Sequence, residues 1–367
     1  MSVPKLRFKE FDGEYKLQNI KSIAKIFVGR DLIEDAFSPV KTETHVYPIY
    51  SNSVDNQGLY GYYNLEEFNF SDDALTVVGR GAGLGTAFYR QGGFGTIGRL
   101  LCLTPENKKF HPKYLADYIN DKLVIHNESG GIPQLPRSSL EGYEVTLPNH
   151  EEQTKIATFL SAVDEKISQL TQKHELLSQY KQGMMQKLFS QQIRFKADDG
   201  SEFGEWEEIK FKEVIKIKYG KDHKKLDDGG IPVLGTGGII RYVDSYLYDG
   251  ESILIGRKGT IDKPQFISGK FWTVDTLFYT EIGEKILPKF AFQQLLLVNW
   301  LNLNEATGVP SLNTTSIGNI ELKVPSLKEQ TKIANFLSAI DQKIEVVAQQ
   351  IEQAKMWKKG LLQQMFV

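Results

Sequence analysis

The chain has 367 residues, 41% of them hydrophobic and 25% charged, a composition typical of an ordinary soluble protein with two or three domains. Its single cysteine, Cys102, excludes an intramolecular disulfide and a cysteine zinc site, and it fits a reducing compartment. The net charge of −2 argues against a domain that holds nucleic acid through bulk charge alone, but it allows clustered basic patches. The N-terminus has no apolar signal segment and no stretch approaches about 18 apolar residues, so we expect a cytoplasmic protein without a membrane span.

Residues 1–147 predict a first variable domain of mixed α/β structure. They are rich in Gly, Tyr, Phe, Val and Ile, and short apolar runs such as residues 75–79 predict short strands between glycine-rich turns. Residues 191–324 have the same character and predict a second such domain, with a strand at 252–256 and a helix at 287–302.

After each variable domain the sequence predicts a long helix, at residues 148–190 and 325–367. Apolar side chains recur there at steps of four and three, which is the mean period of 3.5 residues of a coiled-coil seam. A helix of about 40 residues is roughly 60 Å long and would leave its seam exposed if it were alone. We therefore expect the two helices to pair as an antiparallel coiled coil. The predicted seam residues are Ile156, Leu160, Val163, Ile167, Leu170, Ile333, Leu337, Ile340, Ile344 and Val347.

The chain contains an internal repeat. Residues 152–167 (EQTKIATFLSAVDEKI) and 329–344 (EQTKIANFLSAIDQKI) are identical at 13 of 16 positions, with a constant offset of 177. Residues 127–148 match 304–325 at the same offset, but further upstream the offset drifts to between 184 and 191. Repeats are normally structural units that pack with pseudo-symmetry. We therefore expect an α+β protein with an internal pseudo-twofold, a constant helical frame and two variable domains that recognise different things.

The candidate binding residues are mainly basic side chains next to glycine at predicted strand ends. Arg80 and Arg257 occupy equivalent positions in the two copies, and Arg30 matches Lys221 in the same way. An arginine beside a glycine can approach a DNA phosphate or a guanine edge closely. The alternative is that each pair is only a solvated turn, but its recurrence in both copies strengthens the binding interpretation. The candidates are Arg30, Arg80, Tyr89, Arg90, Lys221, Lys224, Lys225, Arg257 and Lys258.

No pattern in the chain predicts catalysis. The sequence has no GxxxxGK[ST] phosphate loop, and the glycine-rich residues 79–85 do not fit a GxGxxG dinucleotide motif. It has no N/D-P-P-Y/F motif of amino-methyltransferases, and its six histidines have no metal-ligand spacing. Residues 12–16 (DGEYK) resemble the acidic and lysine spacing of some nucleases only superficially. We predict a binding and assembly protein with no catalytic residue, metal ligand or cofactor of its own.

A motif of the form P-x-x-x-E-Q-x-K-I-A-x-F-L-S-x-x-D-x-K-I opens both long helices, at Pro148–Ile167 and Pro325–Ile344. The matching segments KQGMMQKLF (181–189) and KKGLLQQMF (358–366) close them. With two variable domains and this duplicated motif, the chain resembles the specificity subunit of type I restriction-modification systems.

The resemblance implies that each variable domain is a target recognition domain that binds one half of a bipartite double-stranded DNA site. It implies that the helices, with the seam residues given above, act as a spacer and dock two methyltransferase subunits. S-adenosylmethionine, ATP and Mg would belong to those partners and to restriction/translocase subunits of the same complex.

Two binding domains on a rigid spacer would meet one face of B-DNA about one helical turn, roughly 34 Å, apart. Because the two domains differ in sequence, we expect an asymmetric site. The alternatives are a coiled-coil scaffold that does not bind DNA and an autonomous nuclease.

Overall fold

The computed structural model describes residues 3–65, 73–127 and 130–367 of the chain. The chain forms two compact units: unit 1 comprises Met1–Leu170 and Gln350–Val367, and unit 2 comprises Thr171–Gln349. Each unit therefore combines one variable domain with part of each long helix. Within the repeated segment at 127–148, Glu128 and Ser129 lie outside the described residues.

Unit 1 is built from short strands, short helices and one long helix. The strands are β1 (Lys16–Asn19), β2 (Ala24–Val28), β3 (Phe37–Ser38), β4 (Tyr47–Tyr50), β5 (Leu59–Tyr63), β6 (Ala74–Val77), β7 (Ala87–Arg90), β8 (Gly95–Thr96), β9 (Leu101–Pro105) and β10 (Glu144–Leu147). The helices are α1 (Ile20–Ile23), α2 (Pro112–Lys122), α3 (Arg137–Gly142) and the first half of α4 (His150–Phe189), with short 3-10 turns at Glu34–Ala36 and Asp55–Gly58.

Two four-stranded sheets, in the orders β2-β9-β6-β7 and β3-β5-β4-β8, form the variable part of unit 1, and β1 pairs with β10 beside them. The pairs are antiparallel except β4 with β8, which is parallel. Strand β6 is buried at all four positions, as its continuous apolar run predicts. Helix α2 begins with Pro112, whose fixed φ suits a first helical position, and it buries Tyr114 and Leu115 in the same core as β6.

Unit 2 repeats this set of elements. Its strands are β11 (Glu207–Lys210), β12 (Ile215–Tyr219), β13 (Asp228–Gly235), β14 (Gly238–Val243), β15 (Tyr248–Asp249), β16 (Ser252–Gly256), β17 (Gln265–Ile267), β18 (Lys270–Thr273), β19 (Leu277–Ile282) and β20 (Glu321–Val324). Its helices are α5 (Phe211–Val214), α6 (Pro288–Leu295), α7 (Thr314–Gly318) and most of α8 (Leu327–Met365), with a 3-10 turn at Trp300–Leu303.

The sheets of unit 2 match those of unit 1 except for one edge strand, because β3 lies beside β5 in unit 1 whereas β15 lies beside β18 in unit 2. Their orders are β12-β19-β16-β17 and β14-β13-β18-β15, and β11 pairs with β20. The parallel pair β13 with β18 takes the place of β4 with β8. The two variable domains therefore share one fold although their sequences have drifted in register, and the predicted mixed α/β class with long helices is confirmed.

The two long helices run antiparallel within each unit. In unit 1, the rings of Phe159 and Trp357 are 6.0 Å apart and Asp164 Oδ1 lies 2.6 Å from Lys358 Nζ, so that early α4 meets late α8. In unit 2, Lys181 Nζ lies 2.6 Å from Asp341 Oδ1, which joins late α4 to early α8. The antiparallel pairing predicted from the apolar steps is therefore confirmed.

Eight of the ten predicted seam side chains are buried, and Ile167 and Ile344 are half-buried. All of them except Leu170 and Val347 pack into the cores of their own units, as Leu160 does in unit 1 and Leu337 in unit 2, both fully buried. Because most of these side chains are covered by the chain itself, their predicted role in docking a partner stays a prediction that this burial does not favour.

Candidate nucleic-acid interface

The repeated Glu-Gln pair fixes each variable domain to its helix. In unit 1, the buried carboxylate of Glu152 accepts hydrogen bonds from Arg7 Nε at 2.7 Å, from Arg7 Nη2 at 2.8 Å and from the Tyr15 hydroxyl at 3.0 Å. The bond to Glu152 raises the pKa of Arg7, and burial raises that of Tyr15. Gln153 accepts from the His111 N–H and donates to the Pro148 carbonyl.

Unit 2 repeats these hydrogen bonds: an arginine again binds the glutamate, and a tryptophan replaces the tyrosine. Glu329 accepts from Arg194 Nε at 3.1 Å, from Arg194 Nη2 at 2.7 Å and from Trp206 Nε1 at 3.2 Å. Gln330 accepts from the Leu287 N–H and donates to the Pro325 carbonyl. Equivalent hydrogen bonds to the repeated Glu-Gln pair thus hold the two sheets of each unit in a fixed place relative to the start of the long helix.

Three loops meet at strand ends in unit 2, and we call residues 219–221, 256–258 and 273–276 the unit 2 loop cluster. Lys221 N–H donates to the Thr273 carbonyl at 2.8 Å, and Arg257 N–H donates to the Thr276 carbonyl at 2.9 Å. A Cβ at Gly220 would lie 2.0 Å from the Val274 carbonyl oxygen, so glycine is needed for this close approach. The structure therefore brings the predicted residues Lys221, Arg257 and Lys258 together.

Arg257 is held in a defined position. Its guanidinium carbon lies 5.4 Å from the ring centroid of Tyr219, and its Nη1 donates to the Asp275 carbonyl at 3.2 Å. Tyr219 is 53% exposed, and Lys258, which follows Arg257 in the chain, is exposed as well. An ordered arginine stacked on an accessible tyrosine can contact phosphates, base edges or stacked bases.

Lys224 and Lys225 lie on the exposed loop that follows Lys221. The Lys224 N–H donates to Asp222 Oδ1 at 3.0 Å, and this bond lowers the pKa of the Asp222 carboxyl. Both lysines thus continue the basic sequence that begins at Lys221, with the Asp222 carboxylate between Lys221 and Lys224.

The equivalent loops of unit 1 are residues 28–30, 79–81 and 96–100, and we call them the unit 1 loop cluster. Arg30 N–H donates to the Thr96 carbonyl at 3.2 Å, and Gly29 N–H donates to the Leu100 carbonyl at 2.7 Å. Arg30 is exposed and Arg80 is half-buried, with a backbone bridge between Arg80 and Gln134. A Cβ at Gly79 would lie 2.9 Å from the Arg99 carbonyl oxygen, so the loop that carries Arg80 also packs on residues 96–100 and both predicted arginines belong to one cluster.

Tyr89 and Arg90 lie outside this cluster, on β7. Arg90 is only 4% exposed; it donates to Thr76 Oγ1 at 2.9 Å and to the Gln57 carbonyl at 2.6 Å, and its guanidinium lies 3.6 Å from the Tyr50 ring centroid. Burial lowers the pKa of Arg90 to about 10. The half-buried Tyr89 donates its hydroxyl to Asp73, and burial raises its pKa to about 12. Both side chains support the sheet, so a DNA contact by either one stays a prediction that this geometry does not favour.

The sequence interpretation missed one basic residue of the unit 1 loop cluster, the exposed Arg99. The constant offset of 177 aligns residues 96–99 (TIGR) with 273–276 (TVDT), which is the central loop of the unit 2 cluster. That alignment was the signal that could have identified it.

In the described residues, no group of three histidine, cysteine or acidic side chains is arranged to hold a metal ion. Within the same ranges, every helix is too short or too polar to cross a bilayer.

Comparison with known proteins gives a consistent result. The family model described as "Type I restriction modification DNA specificity domain" matches residues 13–179 and 204–356. The specificity subunit of the type I restriction enzyme MjaVIII from Methanocaldococcus jannaschii is 27% identical, with 86% of this chain and 84% of that protein covered. A putative type I specificity subunit of Mycoplasma pneumoniae is 24% identical, with 89% of each chain covered. A crystal structure of the S subunit of a type I restriction-modification system from M. genitalium shares the fold, with a TM-score of 0.74 at 18% identity over 100% of this chain and 99% of that one.

Proposed function

Because the chain belongs to the type I restriction-modification DNA specificity family, we propose that units 1 and 2 each bind one half of an asymmetric, bipartite DNA site through their loop clusters. The chain is a specificity subunit: it recognises DNA for a restriction-modification complex and carries out no catalytic step of its own. The resemblance inferred from the duplicated helix motif is thereby confirmed.

The observation that carries the proposal is one fold with two different sets of loop side chains. The sheet that carries the loop cluster has the same strand order in the two units, yet Lys221, Arg257 and Lys258 stand in unit 2 where unit 1 has Arg30, Arg80 and Gly81. A constant frame with different cations at the same strand ends suits two half-sites of different sequence.

We further propose that two methyltransferase subunits dock on the helices. The supporting feature is a pair of exposed aromatic side chains, Tyr180 in unit 2 and Trp357 in unit 1, which are 52% and 54% exposed and occupy equivalent positions at the offset of 177. Exposed aromatic residues are typical anchors of protein interfaces. Because an exposed aromatic side chain occurs at the same position of both helices, the pair is suited to bind two copies of one partner. S-adenosylmethionine, ATP and Mg would be bound by the partners, including two restriction/translocase subunits, in the cytoplasm.

The test is a domain exchange in the full chain, assembled with its methyltransferase and followed by methylome sequencing. Replacing residues 1–147 with the variable domain of a relative should change one half of the methylated motif, and replacing residues 191–324 should change only the other half. A motif that changes in both halves, or in neither, would contradict the proposal. A complex that selects no sequence at all would favour a scaffold that does not bind DNA.

A further inference from the structure

The loop of residues 97–100 is fastened to both other loops of the unit 1 cluster. Gly98 N–H donates to the Arg30 carbonyl at 2.9 Å, and Arg99 N–H donates to the Gly29 carbonyl at 3.2 Å. On the other side, Asn52 Nδ2 donates to the Gly98 carbonyl, while Asn52 Oδ1 accepts from the Gly79 N–H at 2.9 Å. One amide side chain therefore joins the loop that carries Arg80 to the loop that carries Arg99.

The glycines of the two Gly-Arg pairs permit this contact. A Cβ at Gly29 would lie 2.8 Å from the Ile97 carbonyl oxygen, and a Cβ at Gly79 would lie 2.9 Å from the Arg99 carbonyl oxygen. Both distances are too short for a side chain, so the glycines let the three loops come together. The recurring Gly-Arg pattern thus has a structural reason, and Arg99 lies where both pairs converge.

Arg99 has an unusual backbone conformation. Its φ is +67°, directly after Gly98 at +63°. Positive φ is uncommon for residues other than glycine, asparagine and aspartate, and such outliers are concentrated at functional positions. The Arg99 side chain is exposed, and its guanidinium has no hydrogen bond or ion pair with any residue in the described ranges. Nothing within this part of the chain therefore accounts for an arginine at this position.

Unit 2 provides the contrast. The residue aligned with Arg99 is Thr276, whose carbonyl accepts the N–H groups of both Arg257 and Lys258. Unit 2 has a second cation directly after its arginine, whereas unit 1 has Gly81 there and carries its additional cation on the opposite loop. The two clusters therefore present similar charge in different arrangements.

We propose that Arg99 contacts a base edge in the half-site bound by unit 1, and that Asn52 is a positioning residue that fixes its loop. This inference rests on the proposed function. A rigid loop favours a base contact over a phosphate contact, because bidentate hydrogen bonding to guanine depends on orientation, whereas a phosphate tolerates a mobile cation.

The experiment uses the full chain with its methyltransferase and selects bound DNA from a library of randomised duplexes. Arg99→Gly is the main variant, because glycine accepts the positive φ and only the side chain is lost. We expect one base pair in one half of the motif to become unspecified, and binding to the wild-type site to weaken about 5- to 150-fold. Binding to unrelated duplexes should stay the same. Arg99→Lys, which keeps the charge but not the planar fork, should also lose the base preference.

Arg137→Ala is the matched control, because it removes an exposed arginine of unit 1 that is paired with Glu141 outside the cluster, and it should leave the motif unchanged. Asn52→Asp keeps the acceptor for the Gly79 N–H but loses the donor to the Gly98 carbonyl, and it should relax the same base pair. An unchanged motif for Arg99→Gly overturns the inference, as does an equal loss of affinity on all duplexes, which indicates a phosphate contact. An unchanged motif for Asn52→Asp overturns its positioning role. A wild-type complex that selects no motif overturns the proposed function itself.

Discussion

Replacing Arg194 with methionine should destabilise unit 2 severely. The carboxylate of Glu329 is fully buried, and Arg194 supplies hydrogen bonds to it at 3.1 and 2.7 Å. Without the guanidinium, the contact at 3.2 Å from Trp206 Nε1 would remain for that carboxylate. Removing one partner of a buried ion pair costs about 3–5 kcal/mol, because the other charge stays buried and unpaired. Since the Arg194 side chain is 23% exposed and partly screened by water, we expect a loss of about 3 kcal/mol in the free energy of unfolding.

The assay is chemical denaturation of the full chain followed by tryptophan fluorescence, because Trp206, Trp272 and Trp300 lie in unit 2. Lys196→Met is the matched control: it lies two residues away, and its ion pair with Glu202 is 63% and 64% exposed. Such a surface pair contributes at most about 1 kcal/mol. If Arg194→Met behaved like Lys196→Met, the ion pair would not be what fixes the variable domain to its helix.

Three further outcomes follow from local geometry. Gly220→Ala should lower the free energy of unfolding, measured by thermal denaturation, by about 1–3 kcal/mol, because the new Cβ would lie 2.0 Å from a backbone carbonyl oxygen. Gly230→Ala is the control and should leave that free energy unchanged, because a Cβ at Gly230 meets open space. Burial raises the pKa of the Cys102 thiol to about 12, so it is protonated at pH 8 and should react with a thiol reagent only after unfolding; rapid reaction of the native chain would contradict its placement. Replacing Arg257 and Lys258 together with alanine should lower the slope of log K against log salt by about two if both contact phosphates, and an unchanged slope would identify a solvated turn.

The long helices could be predicted from the sequence because their pattern is local. Steps of four and three between apolar positions report directly which face is buried, and Leu160 and Leu337 are fully buried as that period requires. The pairing of short strands was beyond such reasoning. The parallel pair β4 with β8, for example, joins Ile49 to Gly95, and nothing in either short segment specifies a partner so far along the chain.

The candidate binding residues could be predicted only in part, because their surroundings come from distant parts of the chain. Arg80 follows a short strand and Arg90 is the last residue of another. Arg90 is buried because Thr76 and Gln57 provide acceptors for it, and those partners are apparent only in the folded sheet. Arg99 was overlooked because the glycine-rich residues around it suggest an unspecific turn. Its proposed role rests on two other loops that pack against its own loop, and on a positive φ that composition does not reveal.

The discontinuous make-up of unit 1 has a consequence for synthesis. Its core includes Ile156 and Leu160 from the first half of α4, but also Leu361 and Met365, which the ribosome adds much later. The 179 residues between Leu170 and Gln350 are all of unit 2. At translation rates of about 5–20 residues per second, the last helical segment of unit 1 is therefore synthesised roughly 10–40 s after the rest of that unit. During that interval an apolar strip of the nascent chain is uncovered. Chaperone binding, or temporary cover by another polypeptide, would therefore matter most for the half of the molecule that is made first.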